Sequence, residues 1–189
     1  MEKGGFVLKE QIGPLLQQII EQTDIEVSDI PKIDLYMDQV ITLFENALGT
    51  GKRLPEDKLL TKTMINNYTK DKILMPAKNK KYTPEHIVQM ALIYHLKQSL
   101  SISDIKDLFQ NTLHQEELNI WSVYEDFLKW KKEQSKDIET HIESQLLNEM
   151  DTHNANEQTL LTILSLIHQA NTYKRLAEKM IDQMKSQKG

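Results

Sequence analysis

The sequence predicts an all-α protein, and three observations carry that expectation. Apolar residues recur at three- and four-residue steps along most of the chain, the period of a helix face. Six glycines and five prolines in 189 residues are too few for a turn-rich β protein. Helix start signals stand at the right places, as in Thr83-Pro84-Glu85 and in Ser101 with Asp104 three residues on.

Leu15 to Thr23 is expected as a short amphipathic helix entered after Gly13-Pro14, with Leu15, Leu16, Ile19 and Ile20 in its stripe. An acidic connector follows to Pro31. Asp34 is expected to cap a helix reaching about Leu48, with Met37, Val40, Ile41, Phe44 and Leu48 at helical spacing. Gly49-Thr50-Gly51 ends it. Gly51-Lys52 is not a phosphate loop, because the upstream glycine is absent and Arg53 replaces the hydroxyl residue.

Thr61 to Lys72 is expected as the helix around which the chain is organised. At 100° per residue Lys62, Thr63, Asn66, Asn67 and Lys70 share one arc, and Leu60, Met64, Ile65 and Tyr68 the opposite one. Thr61 supplies a capping hydroxyl, and Met75-Pro76 is expected to stop the helix. The polar arc suits a DNA major groove, where Asn pairs with adenine edges and Lys meets guanine or phosphate. Ala77 to Lys81 is a short polar segment with Lys78, Lys80 and Lys81. The helix opened by Thr83-Pro84 is apolar over much of its circumference and is expected to be central. The next, opened by Ser101, buries Ile105, Leu108 and Phe109.

Gln115 to Glu149 reads as helical with a weak point at Lys132 to Lys136. Leu118, Trp121, Tyr124, Phe127 and Leu128 form one apolar cluster, and Ile138, Ile142, Leu146 and Met150 a second. Asp151 to Asn156 is a turn, and Asn156 is expected to cap a last helix through about Lys185. The result is a C-terminal helical hairpin whose apolar stripe faces either its own domain or a second subunit, the second being preferred. Domains are expected at 1–49 (an N-terminal helical arm), 50–112 (the centre) and 113–189 (the hairpin).

The centre resembles the winged helix-turn-helix domain of MerR-type regulators. Leu60-Thr61 stands where that family has a small apolar residue and a capping serine. Tyr68 matches the second tyrosine of its recognition-helix motif, and Ile73-Leu74 with Pro76 is similar to the segment that follows. Tyr82-Thr83 is similar to the tyrosine-serine closing the wing, and Leu100 to Lys106 to the start of the family's last helix. The family's arginine and first tyrosine are replaced by Asn66 and Asn67, and the wing is shorter, with Lys80-Lys81 in place of arginine. LYMDQV together with LTKTMINNYTK also resembles an uncharacterised bacterial family, domain of unknown function family 1836. The MerR resemblance implies a dimer, a twofold DNA site, and a small-molecule effector at the C-terminal helices, for which Trp121, Tyr124 and Trp130 are the residues considered. Core filling is the preferred role for those aromatics.

Charge is uneven. The net charge is −5, yet residues 1–51 carry −6 and residues 52–81 carry +6. A local basic patch sets the field over a Debye length of about 8 Å, whatever the global sum. With no cysteine, disulfides and thiolate metal sites are excluded. The six histidines show no metal-binding spacing, the acidic pairs lie on different helix faces, and no nucleophile motif occurs. No enzyme, metal or cofactor is therefore expected. Without an apolar run of membrane length or a signal-like start, the expected compartment is the cytoplasm. The expected function is DNA-binding transcription regulation through Lys62, Thr63, Asn66, Asn67, Tyr68 and Lys70 of the helix, with Lys78, Lys80 and Lys81 of the wing on phosphates. The alternative is a protein-interaction module without DNA binding, with Lys62 and Lys70 buried against the acidic arm.

Overall fold

A computed structural model describes residues 8–113 (side chains from Ile12), 118–142 and 154–186. The fold is mostly helical, as expected, with two strands of two residues each among the described residues. Contacts divide the chain into two compact units. One takes in Thr23–Leu128 with the chain from Leu176, the other the chain up to Gln22 with Lys129–Arg175.

Helix α1 runs Leu8–Ile20 and so starts earlier than the expected Leu15. Pro14 lies inside it. The ring removes one amide donor, but its fixed φ is helical, so the helix continues past it at the loss of a hydrogen bond.

In the first unit, strand β1 (Leu35–Tyr36) precedes helix α2 (Met37–Leu48). Asp34 does not cap α2. Leu35 and Tyr36 are extended instead, because they pair antiparallel with strand β2 (Lys81–Tyr82), Leu35 opposite Tyr82 and Tyr36 opposite Lys81. The first turn of α2 is closed by Gln39, whose Oε1 accepts from the Tyr36 amide at 2.9 Å. Val40, Phe44 and Leu48 are buried at the expected helical spacing. Residues 49–61 connect α2 to helix α3, opening with a single 3-10 turn over Gly49–Gly51 and anchored by buried Leu59 and Leu60.

Helix α3 spans Lys62–Lys70, and Thr61 caps it as expected, its side chain accepting from the Met64 amide at 3.1 Å. Its end falls short of the expected Lys72. The chain turns at Lys72, where φ is 61°, and the Ile73 amide reaches back to the Tyr68 carbonyl (2.9 Å) while the Lys72 amide reaches Thr69 (3.1 Å). These are the two bonds of a Schellman cap, with a lysine in the left-handed position that glycine fills most cheaply.

Helix α4 (Pro84–Leu96) is the central element: Ile87, Val88, Met90, Ala91 and Ile93 are all buried. Helix α5 (Ile102–Thr112) opens with the expected Ser101–Asp104 capping box. It buries Ile105 and Phe109 and leaves Leu108 half-buried. Helix α6 (Ile120–His141) has no break at Lys132–Lys136. Lysine, glutamate and glutamine are good helix formers, and the Ser135 hydroxyl donates to the Lys131 carbonyl at 2.8 Å. Residues 115–117 and 143–149, also read as helical, and two members of the second cluster, Leu146 and Met150, lie outside the described residues.

Helix α7 (Ala155–Ser186) is capped by Asn154 and not by Asn156. The Asn154 side-chain oxygen accepts from the amides of Asn156 and Glu157, both at 3.1 Å, and Glu157 accepts from the Asn154 amide. Asn154-x-x-Glu157 has the reciprocal capping-box spacing, which Asn156 lacks. Within the first unit, Ile181 of α7 is buried and the Lys185 ammonium meets Asp107 at 2.7 Å.

A left-handed lysine costs about 1–2 kcal/mol. Lys72→Gly should therefore raise the stability by about 0.5–1 kcal/mol, after the added chain entropy of glycine is subtracted. A urea unfolding curve will show a higher midpoint at unchanged slope; a lower midpoint would mean that Lys72 makes stabilising contacts in this turn.

Candidate nucleic-acid interface

Helix α3 separates its residues by chemistry. Ile65 and Tyr68 point into the core, Met64 is half-buried, and Lys62, Thr63, Asn66, Asn67 and Lys70 are exposed. The apolar residues seat the helix against α2 and the core, so the polar arc has to face outward. Tyr68, on the apolar arc but also named among the DNA-contacting residues, is only 5% exposed, and burial raises its phenol pKa. Its place is in the packing beneath the polar face.

The exposed side chains differ in how free they are. The amides of Asn66 and Asn67 make no hydrogen bond to any described residue. Lys62 holds Asp38 of α2, with 2.7 Å between Nζ and Oδ1, both side chains well exposed. Lys70 is exposed and takes part in no ion pair among the described residues. Of the two contacts with the acidic arm expected of a non-DNA-binding module, Lys62 makes one, to Asp38, at the surface and not buried, and Lys70 makes none among the described residues.

The short basic segment forms a two-residue hairpin. Lys78 and Lys81 exchange both backbone hydrogen bonds at 2.9 Å, and the residues between them, Asn79 and Lys80, have φ of 51° and 63°. Positive φ at both central positions marks a type I′ turn, whose twist suits a hairpin. Lys78 and Lys80 are exposed. Lys81 is half-buried, with its ammonium 5.1 Å from the centre of the Tyr36 ring. Lys81 is therefore committed to a cation–π contact across the two-stranded pairing, and the hairpin offers two cations where three were expected.

Residues 25–127, which contain α3 and the hairpin, match the family described as Domain of unknown function (DUF1836). The chain belongs to that family. Comparison with curated proteins and with solved structures gives no match.

Two buried polar side chains within the DUF1836 region position the chain between α3 and the hairpin, and sequence reasoning passes over their part in it. Gln89, 6% exposed in the middle of α4, donates from Nε2 to the Ile73 carbonyl (3.0 Å) and accepts at Oε1 from the Met75 amide (3.3 Å). His86, 1% exposed, lies 3.2 Å from the Pro76 carbonyl through Nε2 and 3.1 Å from the Thr83 amide through Nδ1. Because Nδ1 faces an amide donor it must accept, so Nε2 carries the proton and donates to Pro76. Together they tie α4 to the segment that leaves α3 and enters the hairpin. A glutamine inside an otherwise apolar run was the one signal that could have found this, since a buried amide needs partners.

Other chemistry is sparse. No group of three His, Asp or Glu among the described residues could hold a metal ion. Tyr124 is fully buried and its hydroxyl donates to the Ile25 carbonyl at 2.7 Å; Trp121 is half-buried and Trp130 exposed. In the second unit, α6 and α7 border an open groove of about 1140 Å³, lined by Gln134, Asp137, Ile138, Leu166 and Tyr173 among others, but by none of those three aromatics.

Replacing Gln89 by Met keeps the volume and removes both hydrogen bonds, leaving the buried Ile73 carbonyl without its partner. A stability loss of about 1–3 kcal/mol should follow in chemical denaturation. A variant as stable as the parent would mean that the segment after α3 is held by other contacts.

Proposed function

We propose that this protein is a DNA-binding transcription regulator of the cytoplasm, built around a MerR-like winged helix-turn-helix centre, and that it reads a palindromic site as a homodimer. The observation that carries the reading is the exposed arc of α3, where two unengaged asparagine amides stand between lysines. In this reading α2 is the supporting helix, α3 the recognition helix, and the 78–81 hairpin a minimal wing. The order β1, α2, α3, β2, α4, α5, with β1 paired to β2, supports it. The connection from α2 to α3 is longer than the usual three or four residues of a helix-turn-helix. Asn66 and Asn67 would meet base edges, Thr63 and Lys70 would support them, and Lys78 and Lys80 would hold phosphates.

The second subunit has a surface to use. Leu160, Ile163, Leu164 and Ile167 of α7 are 59%, 52%, 54% and 55% exposed and fall on one helix face. From Gln158 to Tyr173 the helix carries no Asp, Glu, Lys or Arg. A twofold axis brings identical surfaces together, so an uncharged apolar stripe meets its own copy without like-charge repulsion.

A salt-titrated binding assay on duplex DNA tests the reading. Four to six neutralised phosphates per dimer predict a log–log slope of roughly −4 to −5. Asn66→Ala with Asn67→Ala should abolish discrimination between sequences, and Lys78→Ala with Lys80→Ala should weaken all sequences alike and flatten the slope. No binding at about 50 mM salt would favour an interaction module on the same fold.

Light scattering tests the dimer separately. Leu164→Glu, at an exposed position, should convert a dimer into a folded monomer. An unchanged mass would exclude this face as the subunit contact.

A further inference from the structure

We infer, resting on the DNA-binding reading of α3, that each half-site consists of consecutive A·T pairs, and that Asp38 is the residue that biases the protein against guanine. In the major groove adenine offers one acceptor and one donor side by side, the pattern a carboxamide satisfies with two hydrogen bonds; guanine offers two acceptors and calls for Arg or Lys. The exposed arc of α3 has two carboxamides, on Asn66 and Asn67, with no described partner. It has no arginine.

Its lysines are poorly placed for guanine. Lys62, at the N-terminal end that enters a groove first, is held by the Asp38 carboxylate at 2.7 Å. Lys70 stands in the last turn, near the exit of the helix. Asp38 does more than occupy Lys62: its negative charge at this edge also disfavours acceptor-rich base edges and phosphate.

Thr63 adds to the same preference. It lies four residues before Asn67, about 6 Å along the helix axis. With the helix along the groove and base pairs stepping about 3.4 Å, the two side chains fall within about two pairs of each other. A threonine methyl fits the thymine methyl group, which only an A·T pair carries.

The test is a selection on 24-bp duplexes with a randomised core at about 50 mM salt, using the full-length protein, Asn66→Ala/Asn67→Ala and Asp38→Asn. All three positions are exposed, and circular dichroism checks that each variant keeps its helices. The parent protein should enrich runs of A·T pairs in two half-sites, by tenfold or more over G·C-substituted duplexes. The double asparagine variant should lose that enrichment yet retain salt-dependent binding. Asp38→Asn should bind the pool more tightly and admit guanine next to the A·T run. Salt-dependent binding with no base preference, or with enriched G·C pairs, would overturn the inference and leave the DNA-binding reading standing. Unchanged selectivity in Asp38→Asn would overturn the part assigned to Asp38. A pool that does not bind at all would overturn the DNA-binding reading, and this inference with it.

Discussion

Everything on the outer face of this protein depends on two polar side chains on its inside. An amide or imidazole without partners in an apolar interior costs several kilocalories per mole, so Gln89 and His86 can be accommodated only where backbone groups come to meet them. The groups that do so belong to residues 73–76 and to Thr83. This requirement fixes the path of the chain from the end of α3 to the start of α4. With Ile65 and Tyr68 held in the core on one side and the 73–76 segment tied down on the other, α3 can neither roll nor slide. The orientation of Asn66, Asn67 and Lys70 follows from packing beneath them, with no contact of their own required.

How much of this was legible in the sequence depended on the range of the interaction concerned. The two faces of α3 could be read because helical periodicity is a local property, and the structure buries Ile65 and Tyr68 where the wheel puts them. The Thr61 and Ser101 caps were legible for the same reason, being contacts over three residues. Strand β1 was not: two residues carry no alternation to detect, and Leu35–Tyr36 is extended only because Lys81–Tyr82, far along the chain, is there to pair with it. The end of α3 is not legible from the proline, because the chain turns earlier through a left-handed lysine that no propensity scale favours. Lys81 looked like a free cation until the strand pairing set Tyr36 beneath it. At α7 the expected cap Asn156 gives way to Asn154, which has Glu157 at the capping-box distance, a local pattern that the sequence does carry.

Charge follows the same division between local and distant. The acidic first quarter and the basic stretch that follows nearly cancel in sum, yet cancellation in space is partial. Lys62 meets Asp38 and Lys52 meets Glu45, both pairs running between α2 and the basic stretch. Lys70, Lys78 and Lys80 meet no acid among the described residues. An exposed pair such as Lys62–Asp38 is worth between 0 and about 1 kcal/mol, so it biases the surface without locking it. The positive field around α3 and the hairpin is therefore weakened at one edge and intact at the other.

The backbone of the hairpin carries strain of its own. Asn79 tolerates positive φ because its short amide can hydrogen-bond locally, but Lys80 has no such excuse, and glycine in its place would relieve about 1–2 kcal/mol. That is a substantial part of the 5–15 kcal/mol by which a typical domain is stable. The Lys80 side chain is exposed and contributes nothing to the core that would offset the strain. Strain of this kind is characteristic of sites where a side chain serves something outside the fold. In the proposed reading, an ammonium held at the tip of a rigid two-residue turn has its complement in a phosphate. Under the proposed DNA-binding reading, the strain at Lys80 and the free amides of Asn66 and Asn67 have one common cause.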